Sequence, residues 1–323
     1  MTAAAVTPEK KQVELIDFSD EESEVRSFLQ CLPYISQLSC DPKFFQDVCS
    51  CISVRSREEA KQLVSLLQLL GFTLLLTGGL STRYCQSVGT VLGLCGSDVD
   101  LILKPGQMFV GEASLLFSST IQLHSLTLSH DNALLLCEWV GKGRVACSVT
   151  IEELSLSPLT ARPSEKVSLK VVSGLASLLS YWKISWLNLT ESCGPALSLI
   201  PLLLHDGPLT IRLSEDTVQQ FLFLLHENQD GDLTRSFLIK VGGDLSSCCL
   251  NWELLHFLLQ QSSAQTITVN LKKNSFLEES ITRLLPFLDR VVLKTFYICY
   301  CGLFSRNKLV INFVLPGPVP ALC

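Results

Sequence analysis

Apolar residues recur along this chain in one short form, apolar-x-x-apolar-x-apolar. In chain order the copies are Val13/Ile16/Phe18, Ile35/Leu38/Cys40, Gly71/Leu74/Leu76, Asp98/Leu101/Leu103 and Leu123/Leu126/Leu128. Then follow Ile151/Leu154/Leu156, Ile184/Leu187/Leu189, Pro208/Ile211/Leu213, Ser236/Ile239/Val241 and Thr266/Val269/Leu271. The central copies LHSLTL, IEELSL and ISWLNL are the cleanest. Five copies start on a residue that is not large and apolar, and the one at Ile239 also reads as a loop because VGGDL follows it. Strand alternation sends both residues of each L-x-L to one face and the residue between them to the other. The outward positions so identified are Leu75, Ile102, Thr127, Ser155, Asn188, Arg212, Lys240, Asn270 and Lys272.

The segments between the copies carry helical periodicity. Ser56 precedes Glu58 and Glu59, the stripe Leu63, Leu66, Leu67, Leu70 follows, and Gly71 stops it. Ser19 and Glu22 form a similar capping pattern before Val25, Phe28, Leu29 and Leu32. Val167–Trp182, Pro195–Leu204, Thr217–His226, Trp252–Gln260 and Phe276–Leu288 read the same way. The copies are spaced about 28 residues apart on average, against a period of roughly 20–29 for leucine-rich repeats. Asn274, three residues after Leu271, stands where that motif takes Asn or Cys.

The pattern predicts an α/β fold: an open leucine-rich-repeat solenoid, or horseshoe, with parallel strands on the concave face and helices on the convex face. Ordinary βα units in a compact domain are the alternative. The expected organisation is a flexible head over 1–11, a solenoid of about ten units over 12–290, and a tail over 291–323 outside the repeat pattern. In that tail VVLKTFYICYCGLFSRNKLVINFVLPGPVPALC replaces the copy due near 297, as would happen if a coding sequence ran past a splice site.

Composition narrows the classes. The chain is 47% hydrophobic with a mean hydropathy of +0.36, which fits either a leucine-rich core or a membrane protein. The best candidate for a membrane span, Val291–Phe304, contains Lys294 and Gly302. It falls short of the roughly 18 residues of a membrane span. MTAAAVTPEKKQVEL lacks the apolar stretch of a secretory signal. The expected location is therefore cytoplasmic, with the 14 cysteines as reduced thiols. Cys31, Cys40, Cys95 and Cys137 read as small hydrophobes. The acceptor pattern Asn188-Leu189-Thr190 then reads as accidental.

Net charge is −6, and no Lys/Arg run offers a track for phosphates, so nucleic acid is not an expected partner. The acidic group Asp17, Asp20, Glu21, Glu22, Glu24 suits a helix N-terminus. Phosphate-loop, nucleophile-elbow and His-Glu-x-x-His motifs are absent. The five histidines are scattered, and no cysteine pair has zinc-site spacing. HENQDGDLTRSF lacks the first and twelfth ligands of a calcium loop and reads as a solvated turn. No catalysis, cofactor, metal, membrane contact or small-molecule substrate is expected.

The segments YISQLSCD, SLLQLLGFTLLLTG, LTESCGPALSLIPLLLHDGPLTIRLSED and SSCCLNWELLHFLLQQSSAQTITVNLKKN resemble a fish-expanded group of leucine-rich-repeat proteins. That group is close to the NACHT/leucine-rich-repeat (NOD-like) receptors, and the likeness covers roughly 12–290, the leucine-rich-repeat portion only. It implies a cytosolic recognition or scaffold surface, in innate-immune sensing, with no catalytic residues to carry over. The chain departs from a whole receptor in having no nucleotide-binding motif and no death-fold domain. Two functions are therefore expected. The first is non-catalytic recognition of a protein partner by the concave strands. The alternative is a regulatory or sensor fragment of a larger receptor whose nucleotide-binding domain lies elsewhere.

Overall fold

The structure is a computed structural model. It describes residues 11–14, 22–41, 43–104, 106, 108–142, 148–157, 165–191, 195–262, 265–270, 272–274, 283–287 and 289–294. Where the spacing predicts one array over 12–290, the chain divides into two compact units, Met1–Thr217 and Val218–Cys323.

The first unit alternates strands and helices. It runs β1 (Lys11–Glu14), α1 (Glu22–Cys31), β2 (Ile35–Ser39), α2 (Phe44–Cys51), α3 (Arg57–Leu69), β3 (Thr73–Leu76), α4 (Thr82–Leu92) and β4 (Asp100–Leu103). It continues with α5 (Val110–Leu116), β5 (Ile121–Leu128), α6 (His130–Gly141), β6 (Val149–Leu156), α7 (Glu165–Leu179), β7 (Lys183–Leu189), α8 (Ile200–Leu203) and β8 (Thr210–Leu213). Strands β3 to β8 form one parallel six-stranded sheet in chain order, and β1 pairs with β2 in a separate parallel ladder. The protein is thus α/β with a parallel sheet.

Sequence pattern sets the register. Leu74, Leu101, Leu126, Leu154, Leu187 and Ile211 face one another across the six strands. All six are buried. The residues immediately before and after each of the six are half-buried or exposed in every strand. A sheet covered by helices on both faces would bury both parities, so here the helices cover one face and leave the other open.

The helices lock onto that core by local means. Ser56 caps α3 in a complete capping box with Glu59, as the sequence predicts. Gln46 on α2 donates from Nε2 to the Thr77 carbonyl (2.7 Å), and its Oε1 accepts from the Thr77 N–H (3.0 Å). Phe117 packs on Trp139 and Trp182, with ring centroids 6.2 and 5.2 Å away. A Cβ on Gly89 would stand 2.3 Å from the Leu115 carbonyl oxygen, so α4 and α5 approach too closely for any other residue. The expected helix over Pro195–Leu204 is a 3-10 turn, Ala196–Leu199, followed by the single turn of α8.

Helix α9 (Glu215–Asn228) begins at the end of the first unit and runs into the second, which holds α10 (Gly231–Val241), α11 (Trp252–Gln261), β9 (Ile267–Asn270) and β10 (Val291–Lys294), with β9 and β10 paired in parallel. Three expectations change here. The copy at Ile239 is helix: Leu233, Phe237 and Leu238 are buried at helical spacing, Ile239 is exposed, and Asp230 caps the first turn. The stretch read as a solvated turn therefore enters α10 at Gly231. The strand-like bridge comes instead at Asp244, opposite Thr268, after Gly242 turns the chain at φ +94. Thirdly, Val291–Lys294, assigned to the tail, is a further parallel strand, with Leu293 opposite Val269. Arg290 supports it by donating to the Leu259 and Ser262 carbonyls at the end of α11 (3.0 and 2.8 Å).

At the other end Val13, not Ile16, faces Leu38. Ile16, Phe18, Ser19, Leu271, most of 276–288 and the tail beyond Lys294 lie outside the described residues. Among the described residues no helix is long and apolar enough to cross a membrane.

Candidate functional site

The open face of the six-stranded sheet gathers the outward residues into ordered rows. Leu75, Ile102, Thr127, Ser155, Asn188 and Arg212 are mutual register partners across β3 to β8. Six of the nine sequence-predicted positions thus form a single row. It is apolar over β3 and β4, hydroxylic over β5 and β6, and polar to cationic over β7 and β8.

The other three are elsewhere. Lys240 lies in α10 with 6% of its surface exposed, because the segment around it is helix and not strand. Asn270 ends β9 in the second unit, where its Oδ1 accepts the Lys272 N–H at 2.9 Å. Lys272 stands exposed in the turn after that strand.

A second row runs beside the first. Thr73, Asp100, Ser125, Glu153, Trp186 and Thr210 are also in register. It arises because the first two apolar residues of each copy are separated by two positions. Both of those positions turn outward: His124 and Ser125, Glu152 and Glu153, Ser185 and Trp186 are exposed or half-buried. Considering only the residue inside L-x-L passes over Asp100, Glu153 and Trp186, although the x-x pair of the same motif marks them.

Glu153 joins the two rows. Its Oε1 accepts from Asn188 Nδ2 (2.8 Å) and Ser155 Oγ (3.2 Å), and its Oε2 accepts from Arg212 (3.0 Å). The Arg212 guanidinium lies 4.5 Å from the centre of the Trp186 ring, a cation–π contact. Asn188 Oδ1 accepts from Thr190 Oγ1 at 2.7 Å, so the amide of the formal glycosylation acceptor is engaged on both sides. An exposed Trp and an exposed Arg are held in place by side chains that are themselves held.

Toward the centre, Ser125 Oγ donates to Asp100 at 2.5 Å. His124 Nδ1 meets Glu152 at 2.9 Å. That hydrogen bond raises the His124 pKa above its ordinary value, and the charges of Asp100, Glu152 and Glu153 add to the effect.

Among the described residues no three His, Cys, Asp or Glu side chains stand where they could hold a metal ion. The chain matches no protein-family model, no curated protein and no solved structure.

Proposed function

We propose that the protein is a leucine-rich-repeat-type solenoid whose open sheet face recognises a protein partner without turnover. The observation that carries this reading is the Trp186–Arg212 stack braced by Glu153 and Asn188 at the end of an in-register row. Trp and Arg dominate binding energy at protein interfaces when their geometry is fixed beforehand. The mixed row beside them, with no basic track, suits a protein surface better than nucleic acid. Membership of the NOD-like-receptor-related group, cytosolic location and a sensing role belong to the same proposal, on the strength of the repeat cadence and the quoted segments.

The test is cross-linking capture from cells with the intact chain beside Trp186→Ala and Arg212→Ala. Both residues are exposed or nearly so, and the variants should fold. Loss of each hot-spot side chain should weaken a partner on this face about 30-fold or more. A partner set unchanged by both substitutions would remove the open face from consideration.

A further inference from the structure

The sheet is interrupted once within the first unit. Strand β2 pairs with β1 alone, and β3 pairs with β4 alone, so the β2 edge facing away from β1 has no strand beside it among the described residues. A groove of about 540 Å³ opens there between β2, the end of α1 and one face of α3. Three consecutive β2 residues, Ile35, Ser36 and Gln37, line it. Ile35 is buried whereas Ser36 and Gln37 are exposed, so a groove touching all three passes along an edge.

Its chemistry is uniform. The floor includes Leu29 and Ile35, and the rim carries Gln30, Gln37, Gln62 and Gln68. Among the described residues no ionisable side chain lines it. None of the four rim amides has a hydrogen-bond partner among the described residues.

The protein itself shows what a glutamine amide does beside a backbone. Gln46 takes both the N–H and the carbonyl of Thr77. Gln219 does the same to Cys249, at 2.9 and 2.8 Å. Each amide supplies one donor and one acceptor, the pair a neighbouring strand would supply.

We propose that this groove is a strand-addition site. An extended, uncharged segment of a partner protein lies along the free edge of β2, its backbone read by the glutamine amides. Its alternate apolar side chains rest on Leu29 and Ile35. Backbone pairing supplies affinity in such additions, and pockets for alternate side chains supply selectivity. Lack of charge in the lining selects against charged segments, whose desolvation nothing would offset. The site stands on β2, α1 and α3 and is independent of the open-face reading.

The test is selection of a phage-displayed nonapeptide library on the full chain. It is followed by binding of the enriched peptides to the triple variant Gln37→Ala/Gln62→Ala/Gln68→Ala, whose fold is checked by circular dichroism. The expected result is enrichment of uncharged, β-branched sequences that bind the variant at least about tenfold more weakly. Hydrogen exchange should slow at the β2 amides not bonded to β1 when peptide is added. N-methylation of alternate peptide amides should abolish binding.

Failure to enrich, enrichment of charged sequences, or equal binding to the triple variant would overturn the proposal. Outward β2 amides already protected in the unliganded chain would overturn it too, since the groove would then be filled by the chain itself.

Discussion

Replacing Asn274 by Ala is the sharpest test of how the loop before α11 is fastened to the end of β9. Asn274 has 1% of its surface exposed. Its Oδ1 accepts the Leu250 N–H at 2.7 Å, and its Nδ2 donates to the Cys248 and Asn270 carbonyls at 3.3 and 2.9 Å. Alanine leaves a buried N–H with no acceptor, at a cost of about 1–3 kcal/mol. Two carbonyls also lose a donor, though each keeps a second lone pair, which adds roughly 1 kcal/mol together. The expected loss is therefore about 3 kcal/mol.

Gln219→Ala is the matched control. It deletes two hydrogen bonds of similar length to one backbone position, but at an exposed site that water can serve. It should cost under about 1 kcal/mol. Urea denaturation of the full chain, followed by far-ultraviolet circular dichroism, measures both. Equal losses for the two variants, or under about 1 kcal/mol for Asn274→Ala, would refute burial as the reason this amide matters.

A Cβ at Gly243 would stand 2.1 Å from the Thr266 carbonyl oxygen, so Gly243→Ala must displace the bridge beside β9 and should cost more than about 2 kcal/mol in the same denaturation assay. The pKa of His124 is raised in the folded state. Its stabilising contribution is thus fully present below the unfolded value of about 6.5 and lost as pH rises through the higher folded value. Nuclear magnetic resonance titration should show the elevated pKa in the intact chain and a return toward about 6.5 in Glu152→Gln. Among the cysteines of the described residues, native-state alkylation should modify exposed Cys31 and Cys249 first. Burial raises the Cys85 and Cys137 thiols to about 12 and Cys49 further still, and mass spectrometry should find these three labelled only after denaturation.

The cadence of the leucines made the six-stranded sheet legible because burial and register there have one cause. Leu74, Leu101, Leu126, Leu154, Leu187 and Ile211 must reach the same core, and shifting any strand by one residue would turn its whole apolar set outward. Where that constraint weakens, the sequence misleads. Ile239 fits the strand template, but Leu233, Phe237 and Leu238 fit a helix better, and a cap at Asp230 decides the contest. Val291–Lys294 is too short to announce itself and is fixed by pairing with β9 and by Arg290 closing α11, neither of which is local in sequence.

Spacing also carried information about interruption. The longest step in the leucine series lies between Leu38 and Leu74. Two helices, α2 and α3, fill it where single helices fill the other steps up to Leu187. A second helix needs room behind the strands, and Gln46 of α2 supplies at Thr77 the donor and acceptor that a neighbouring backbone would supply. The ladder stops between β2 and β3. The irregular step therefore marks the place where the fold trades a backbone neighbour for side-chain amides, and the rim of glutamines on β2, α1 and α3, unpaired among the described residues, occurs beside that break.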